Sequence, residues 1–172
     1  MRKILLLGYM GCGKSTIAKL LSEAIGIPYF DLDKIIEEKT NLSVKILFKE
    51  KGEIYFRKLE HEVFHDLMHN SDSMILSLGG GTPCYANNHE LLKGENTISI
   101  YLSASIDTLY NRLLNDKNNR PLIADKSEEE LKEFIAKHLF DRSFYYHQAQ
   151  YKINVDGKTP ENIVEEIEEL LA

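Results

Sequence analysis

Continuous apolar runs along the chain predict the strands. Residues 4–7, 73–78 and 97–102 are short and mostly apolar, and 27–30 and 151–155 are shorter candidates. Apolar runs of this length bounded by turn residues are typical of strands that are buried on both faces of a parallel sheet. The pattern therefore predicts a central parallel sheet of five strands.

Between these runs, apolar residues recur at helical spacing. The predicted helices cover residues 17–25, 34–39, 43–49, 53–69, 86–92, 105–114, 127–146 and 160–171. Ser127 with Glu130 forms a capping box, and Thr159 precedes a proline at the first position of the last helix. Strands that alternate with helices predict an α/β fold with helices on both faces of the sheet. The absence of internal repeats and linkers predicts a single domain over residues 1–172.

Composition narrows the class of protein. The chain has 172 residues and a net charge of −6, which disfavours general binding to nucleic acid or to an anionic membrane. Its first apolar run is too short for a signal-peptide core, and two cysteines do not make a disulfide framework. We expect a cytoplasmic monomer that binds neither nucleic acid nor membrane.

The stretch 8–16, Gly-Tyr-Met-Gly-Cys-Gly-Lys-Ser-Thr, fits the phosphate-binding P-loop pattern. It follows the first predicted strand and precedes the first predicted helix, as the motif requires. The loop N–H groups and the helix N-terminus attract phosphate oxygens. Lys14 is expected to reach the β- and γ-phosphates, and the Ser15 hydroxyl is expected to bind Mg²⁺. The alternative is a glycine turn before an ordinary helix.

Two aspartates follow the second predicted strand. In an extended segment, Asp31 and Asp33 project to the same side and could face the P-loop. They are candidates for a Mg²⁺ site and for holding a substrate hydroxyl. The alternative is an exposed turn with a helix cap.

The third predicted strand leads into three glycines, Gly79, Gly80 and Gly81, at a point where P-loop proteins often carry an aspartate. No acidic residue lies at 76–78, so Ser77 is the nearest polar candidate for the metal. Glycine permits unusual backbone angles and a close approach of ligand to backbone. A flexible turn is the alternative.

His61-Glu62-Val63-Phe64-His65 matches the H-E-x-x-H zinc pattern, and His69 lies on the same predicted face. No third ligand stands at a suitable spacing, and an apolar stripe runs between the histidines. We interpret them as a partly solvated helix face.

Together these motifs resemble the shikimate kinase family over nearly the whole chain. The resemblance rests on the P-loop at 8–16, Asp31-Leu32-Asp33, Gly52-Glu53 with Phe56-Arg57-Lys58-Leu59-Glu60, the triplet 79–81, Arg120-Pro121-Leu122-Ile123, and Arg142 followed by Tyr145. Two positions depart from the family pattern: Ile123 stands where leucine is usual, and Cys12 stands where many members have serine or alanine. Neither change removes a charged group.

The resemblance implies ATP-dependent phosphorylation of the shikimate 3-hydroxyl, with one Mg²⁺ ion, in the pathway to chorismate and aromatic amino acids. It implies that Arg120 closes over the phosphates on a lid at about 115–126, and that Arg112 flanks the adenine. Asp31 would support the metal through water. The implied nucleotide-binding residues are Gly11, Cys12, Gly13, Lys14, Ser15, Thr16, Arg112 and Arg120, and the implied metal-binding residues are Ser15 and Asp31.

For the acceptor, the resemblance implies a shikimate-binding segment at about 31–60. Asp33 would contact the ring hydroxyls as the candidate base, while Arg57 and Arg142 would hold the carboxylate. The implied substrate-binding residues are Asp33, Arg57, Gly79, Gly80, Gly81 and Arg142, and the implied catalytic residues are Lys14, Asp33 and Arg120.

Several alternatives stay open at this stage. Arg57 could instead pair with Glu60 or Glu62 on its helix, and Arg142 with Asp141 or Glu133. Another small-molecule kinase, such as a gluconate or nucleoside monophosphate kinase, and a nucleotide-binding module without turnover are the competing functions.

The cysteines give one further expectation. Cys12 lies inside the P-loop, so we expect a thiol-alkylating reagent to inactivate the protein there, and bound nucleotide to protect it. Cys84 is the competing target.

Overall fold

The computed structural model describes residues 2–120 and 122–172 and contains the predicted five-stranded parallel sheet. The strand order is β2-β3-β1-β4-β5. The strands are β1 (Lys3–Leu7), β2 (Tyr29–Asp31), β3 (Met74–Ser77), β4 (Thr97–Ser103) and β5 (Tyr151–Asn154).

The strand that carries the P-loop occupies the centre of the sheet. In β1, Leu5 pairs with Leu76 of β3 on one side and with Ser99 of β4 on the other. All five residues of β1 are buried. Since successive side chains point to opposite faces of a sheet, this burial requires cover on both faces. Burial on both faces of the sheet explains why the apolar run in the sequence is continuous.

Seven α-helices lie in the described part of the chain. They are α1 (Lys14–Ile25), α2 (Leu32–Thr40), α3 (Val44–Lys51), α4 (Glu53–His69), α5 (Ile106–Asp116), α6 (Glu128–Tyr146) and α7 (Pro160–Leu171). The helix predicted at 86–92 is instead a 3-10 segment, Asn88–Leu92, and a second one covers Thr82–Cys84. Lys117–Asn119 forms a third.

Capping residues fix several helix ends where the sequence predicted them. Ser127 and Glu130 form the complete capping box before α6. The Thr159 side chain accepts from the Asn162 N–H at the start of α7. Ile163, Val164 and Ile167 of α7 are buried, and α7 packs against α1. Each buried side chain of this size contributes about 1.5–3 kcal/mol to folding, so the stripe anchors α7.

The start of α2 differs from the prediction. Asp31 ends β2 and caps α2, because its Oδ1 accepts from the Lys34 N–H at 3.2 Å. Asp33 therefore lies in the first helical turn, and the expectation that both aspartates project from one extended segment is wrong. The helix cap, which was the alternative for Asp31, is present.

The fold gathers the motifs at one edge of the sheet. The P-loop follows β1, Asp31 ends β2, and the glycine triplet begins two residues after β3. The carboxyl ends of parallel strands meet at a common edge, which is where ligands bind in such sheets. No helix in residues 2–120 and 122–172 combines the length and apolar character needed to cross a bilayer.

Candidate active site

One cavity of about 330 Å³ brings together most of the predicted chemical groups. It lies between the P-loop, the start of α2 and the glycine triplet. Its lining includes Lys14, Ser15, Asp31, Asp33, Ser77, Gly79, Gly80 and Arg120. A larger cavity of about 830 Å³ shares Ser15, Asp31 and Ser77 but extends along α1 and α2, away from Lys14 and Asp33. The smaller cavity is the candidate site, because it is lined by Lys14, Asp33 and Arg120.

The P-loop wraps around the Lys14 side chain. Gly13 has a φ of 102°, a left-handed conformation that glycine adopts at little cost, and α1 begins at the next residue. The Lys14 Nζ donates to the carbonyl oxygens of Gly8 at 2.7 Å and Tyr9 at 3.2 Å. The ammonium group is thereby held across the loop, on the wall of the cavity.

Ser15 and Asp31 form a pair of oxygen donors beside the loop. The Ser15 hydroxyl donates to Asp31 Oδ2 at 3.3 Å, and the buried Ser77 is the register partner of Asp31 on β3. A hydroxyl next to a carboxylate suits Mg²⁺, which prefers oxygen ligands and keeps part of its water shell. Residues 2–120 and 122–172 contain no group of three or more His, Cys, Asp or Glu side chains arranged around a metal. The donor set therefore fits a Mg²⁺ ion that also binds nucleotide phosphates.

Asp33 is the most perturbed carboxyl group of the cavity. Its pKa is raised to about 6, chiefly by burial and also by the neighbouring Asp31 and Glu60 carboxylates, against the lowering effect of Lys14. A carboxylate with a pKa near neutrality can hold or accept the proton of a hydroxyl group.

Arg57 belongs to a buried network on α4. Its Nη1 donates to Glu60 Oε1 at 2.9 Å, and Glu60 Oε2 accepts from the Thr82 hydroxyl at 2.9 Å. The ion pair with Glu60 that the sequence left open is thus present. The guanidinium also lies 4.1 Å from the centre of the Tyr85 ring, and Arg57 Nε is buried without a hydrogen-bond partner among the described residues.

Arg142 projects from α6 towards the glycine triplet. No ion pair joins it to Asp141 or Glu133 in the part of the chain that the structure describes. It interacts electrostatically with Tyr146, whose hydroxyl donates to the Gly80 carbonyl at 2.6 Å. Tyr146 thereby joins α6 to the glycine triplet.

The absence of side chains in the glycine triplet lets two arginine side chains approach its backbone closely. A methyl group on Gly81 would lie 2.6 Å from Arg57 Nη2, and one on Gly80 would lie 3.1 Å from Arg142 Nη1. None of the three glycines has a positive φ, so of the two properties that glycine permits, the close approach of other groups is the one seen here. The triplet brings both arginines against the backbone at one place.

Arg112 and Arg120 are the other two arginines that the sequence assigned to the site. Arg120 forms an ion pair with Asp116, with Nε 2.8 Å from Oδ2, and its side chain lines the candidate cavity. Arg112 Nη1 donates to the Gly11 carbonyl at 3.1 Å and lines a separate cavity of about 270 Å³ with Thr16 and Lys158. Pro121 of the predicted lid motif lies outside the described residues.

The position of Cys12 argues against the expected thiol chemistry. Its side chain is 1% exposed, and its N–H donates to the Tyr9 carbonyl at 3.1 Å. An alkylating reagent has no access to this sulfur unless the loop opens. Cys84 is more exposed, but burial raises the pKa of its thiol to about 11, which also slows alkylation.

The histidines of α4 make other contacts. His61 Nδ1 lies 2.6 Å from Asn88 Oδ1, and His69 Nδ1 lies 2.8 Å from the His65 carbonyl oxygen. The rings of His65 and His69 stack at 4.0 Å. These geometries are those of a helix face, as the sequence indicated.

Glu60 and Tyr146 have site contacts that the sequence did not assign. Their partners, Thr82 and Gly80, are more than twenty residues away, so no local pattern shows these contacts. For Glu60, one signal is available in the sequence. It is a glutamate at a buried position of an amphipathic helix, and charged residues are rarely buried unless they are paired.

Comparison with known proteins identifies the family of the chain. The shikimate kinase family model matches residues 10–172. A shikimate kinase of Flavobacterium johnsoniae is 62% identical over the full length of both chains. The crystal structure of the Bacteroides thetaiotaomicron shikimate kinase shares 36% identity with a TM-score of 0.91, covering 99% of this chain and 98% of that one.

A further solved structure, of Acinetobacter baumannii shikimate kinase in complex with shikimate, shares 31% identity with a TM-score of 0.88 and covers 99% of this chain and 93% of that one. The family match spans nearly the whole chain, including the P-loop from Met10, the glycine triplet and all of α6. The chain belongs to the shikimate kinase family.

Proposed function

We propose that this protein transfers the γ-phosphate of ATP to the 3-hydroxyl of shikimate, giving shikimate 3-phosphate and ADP. The observation that carries the proposal is the convergence of Lys14, Asp33 and Arg120 in one cavity. That cavity is bordered by Gly79 and Gly80, and the triplet they begin is in contact with Arg57 and Arg142. The proposed phosphate-binding groups and the glycine triplet with its two arginines thus border the cavity that contains Asp33.

On the nucleotide side, the proposed role of the protein is positioning and charge stabilisation, since phosphoryl transfer passes through a loose transition state. Lys14 and the loop N–H groups bind the β- and γ-phosphates, with Gly11, Cys12, Gly13 and Thr16 contributing through the loop and the first turn of α1. Arg120 stabilises the charge on the transferred group. Ser15 and Asp31 would hold Mg²⁺, which neutralises phosphate charge when bound. Arg112 flanks the adenine.

On the acceptor side, Arg57 and Arg142 bind the shikimate carboxylate and the glycine triplet contacts the ring. Asp33 holds the hydroxyl that is phosphorylated and accepts its proton as the bond to phosphorus forms. Its raised pKa, about 6, supports this role, because the group is partly protonated and partly ionised near neutral pH. The segments 31–60 and 115–126 serve as the acceptor-binding part and the lid, which excludes water that would hydrolyse ATP.

The decisive experiment is a coupled ADP-release assay with and without shikimate. ADP release is expected to depend on shikimate, and gluconate and AMP are expected to be poor acceptors. Equal turnover with gluconate or AMP would indicate another small-molecule kinase. Nucleotide binding without ADP release would indicate a binding module.

Arg142→Ala is expected to raise the KM for shikimate by about ten- to a hundredfold, with a much smaller effect on the KM for ATP. The reason is the loss of one charge-assisted hydrogen bond, worth about 1.5–3 kcal/mol, to the carboxylate. Steady-state kinetics with each substrate varied in turn measures both constants. Arg112→Ala is the matched arginine control and should affect the KM for ATP instead. An equal rise of both KM values in Arg142→Ala would place Arg142 outside the acceptor site.

A further inference from the structure

Tyr9 connects the P-loop to α6. Its carbonyl oxygen accepts from Lys14 Nζ at 3.2 Å, while its side chain is buried and points away from the loop. The phenol oxygen lies 2.9 Å from Nδ1 of His138, a residue of α6. One P-loop residue is thus bonded at its backbone to the phosphate-binding lysine and at its side chain to the helix that carries Arg142.

The Tyr9 ring also lies beneath Arg142. The central carbon of the guanidinium is 5.6 Å from the centre of the ring, a distance at which a cation and an aromatic face attract each other. His138 and Arg142 are four residues apart on α6, so they lie on the same side of the helix. The ring therefore contacts both side chains, and the hydroxyl contact with His138 fixes where the ring can be.

The donor and acceptor in this pair are set by the tautomer of the His138 ring. Burial and the adjacent Arg142 lower the pKa of His138, so its ring is neutral at pH 7, and with the ring proton on Nε2 its Nδ1 accepts a hydrogen bond. Burial raises the pKa of Tyr9 to about 12, so its hydroxyl keeps its proton and can donate. The other side of His138 is covered by Phe134, whose ring centre lies 4.2 Å away and is itself approached by Lys126.

We propose that His138 is a positioning residue for Arg142: by accepting the Tyr9 hydroxyl, it holds the Tyr9 ring beneath the guanidinium and so orients Arg142 for the acceptor carboxylate. This inference rests on the proposed function, in which the ligand of Arg142 is the carboxylate of shikimate. The Tyr9 carbonyl, which contacts Lys14, is unaffected by loss of the hydroxyl. The effect is therefore on the acceptor and not on the nucleotide.

Kinetics of four variants tests the proposal. Tyr9→Phe and His138→Ala each remove one member of the hydrogen bond and are expected to raise the KM for shikimate about three- to tenfold. The KM for ATP is expected to stay within about twofold. His138→Asn places a hydrogen-bonding atom near the position of Nδ1 and should restore most of the loss. In the double variant Tyr9→Phe/His138→Ala, the second change should add little to the first, because both break the same contact.

His69→Ala is the matched histidine control, since its Nδ1 bonds only to a carbonyl of its own helix among the described contacts, and its KM values should be unchanged. Additive effects in the double variant, or parallel rises of both KM values, would overturn the proposal in favour of a general structural role. Tyr9→Phe keeps the aromatic ring and removes only the hydroxyl, so it tests the proposal even if His138→Ala does not fold. If the wild type does not phosphorylate shikimate, the proposed function fails. If it does, and Tyr9→Phe leaves the KM for shikimate unchanged, only this inference fails.

Discussion

Lys14→Ala is expected to lower kcat for shikimate-dependent ADP release by roughly 10³-fold or more, with the fold intact. The Gly8 and Tyr9 carbonyl oxygens hold the ammonium group on the wall of the candidate cavity. In the proposed reaction, the charge that migrates during transfer would lose this counter-charge. Alanine is a good helix former at the first position of α1, so stability should change little.

Single-turnover kinetics measures the loss of rate, and a thermal unfolding scan measures whether the fold stays intact. Lys19→Ala removes an exposed lysine from the same helix, and it controls for the change in net charge. A well-folded Lys14→Ala protein with near wild-type kcat would show that the P-loop assignment is wrong.

Arg120→Ala is expected to lower kcat by about 10³-fold while changing the KM for shikimate little. This magnitude is that of an arginine supplied to the transferring phosphate within the same chain. In the structure the guanidinium is paired with Asp116 and Arg120 lines the candidate cavity, so in the proposed reaction it would reach the γ-phosphate by exchanging a carboxylate oxygen for a phosphate oxygen. Such an exchange conserves a charge-assisted hydrogen bond.

Asp116→Asn is the informative partner variant, measured in the same assay. It weakens the ion pair but keeps the arginine, so kcat should stay close to that of the wild type. If Arg120 matters only through its ion pair, the two variants will be equally impaired. An unchanged kcat in Arg120→Ala would make residues 115–126 an ordinary surface segment.

The sequence predicted the fold well where the signal is periodic. The helix predicted at 53–69 is α4, and the apolar run at 4–7 is β1 with one more residue, Lys3. Both signals arise from burial, which the residue types record directly. The prediction was less accurate at the start of α2. Asp31 can either continue a strand or cap a helix, and the Lys34 N–H that it binds is invisible in the sequence.

The residues of the candidate site also differ in whether the sequence could identify them. Lys14, Asp33 and Arg120 stand in motifs whose spacing is local or shared with a family, so they could be named before the cavity was known. Glu60, Tyr146 and His138 act through contacts with other elements, at sequence separations of 22, 66 and 129 residues. Tertiary packing alone creates such contacts.

The pairing of Arg57 with the buried Glu60 has a consequence for how quickly the acceptor is captured. On the proposed acceptor side, the cations Arg57 and Arg142 stand beside the carboxylate of Glu60 and the partly ionised Asp33, so much of the positive charge is offset at distances beyond a few ångströms. Long-range steering of an anion requires a field of one sign. Shikimate association should therefore depend only weakly on ionic strength, in contrast to the capture of anions by open basic clefts, whose rate falls as added salt screens the charges. If the arginines bind the carboxylate as proposed, selectivity for it would arise after contact, from hydrogen-bond geometry at Arg57 and Arg142.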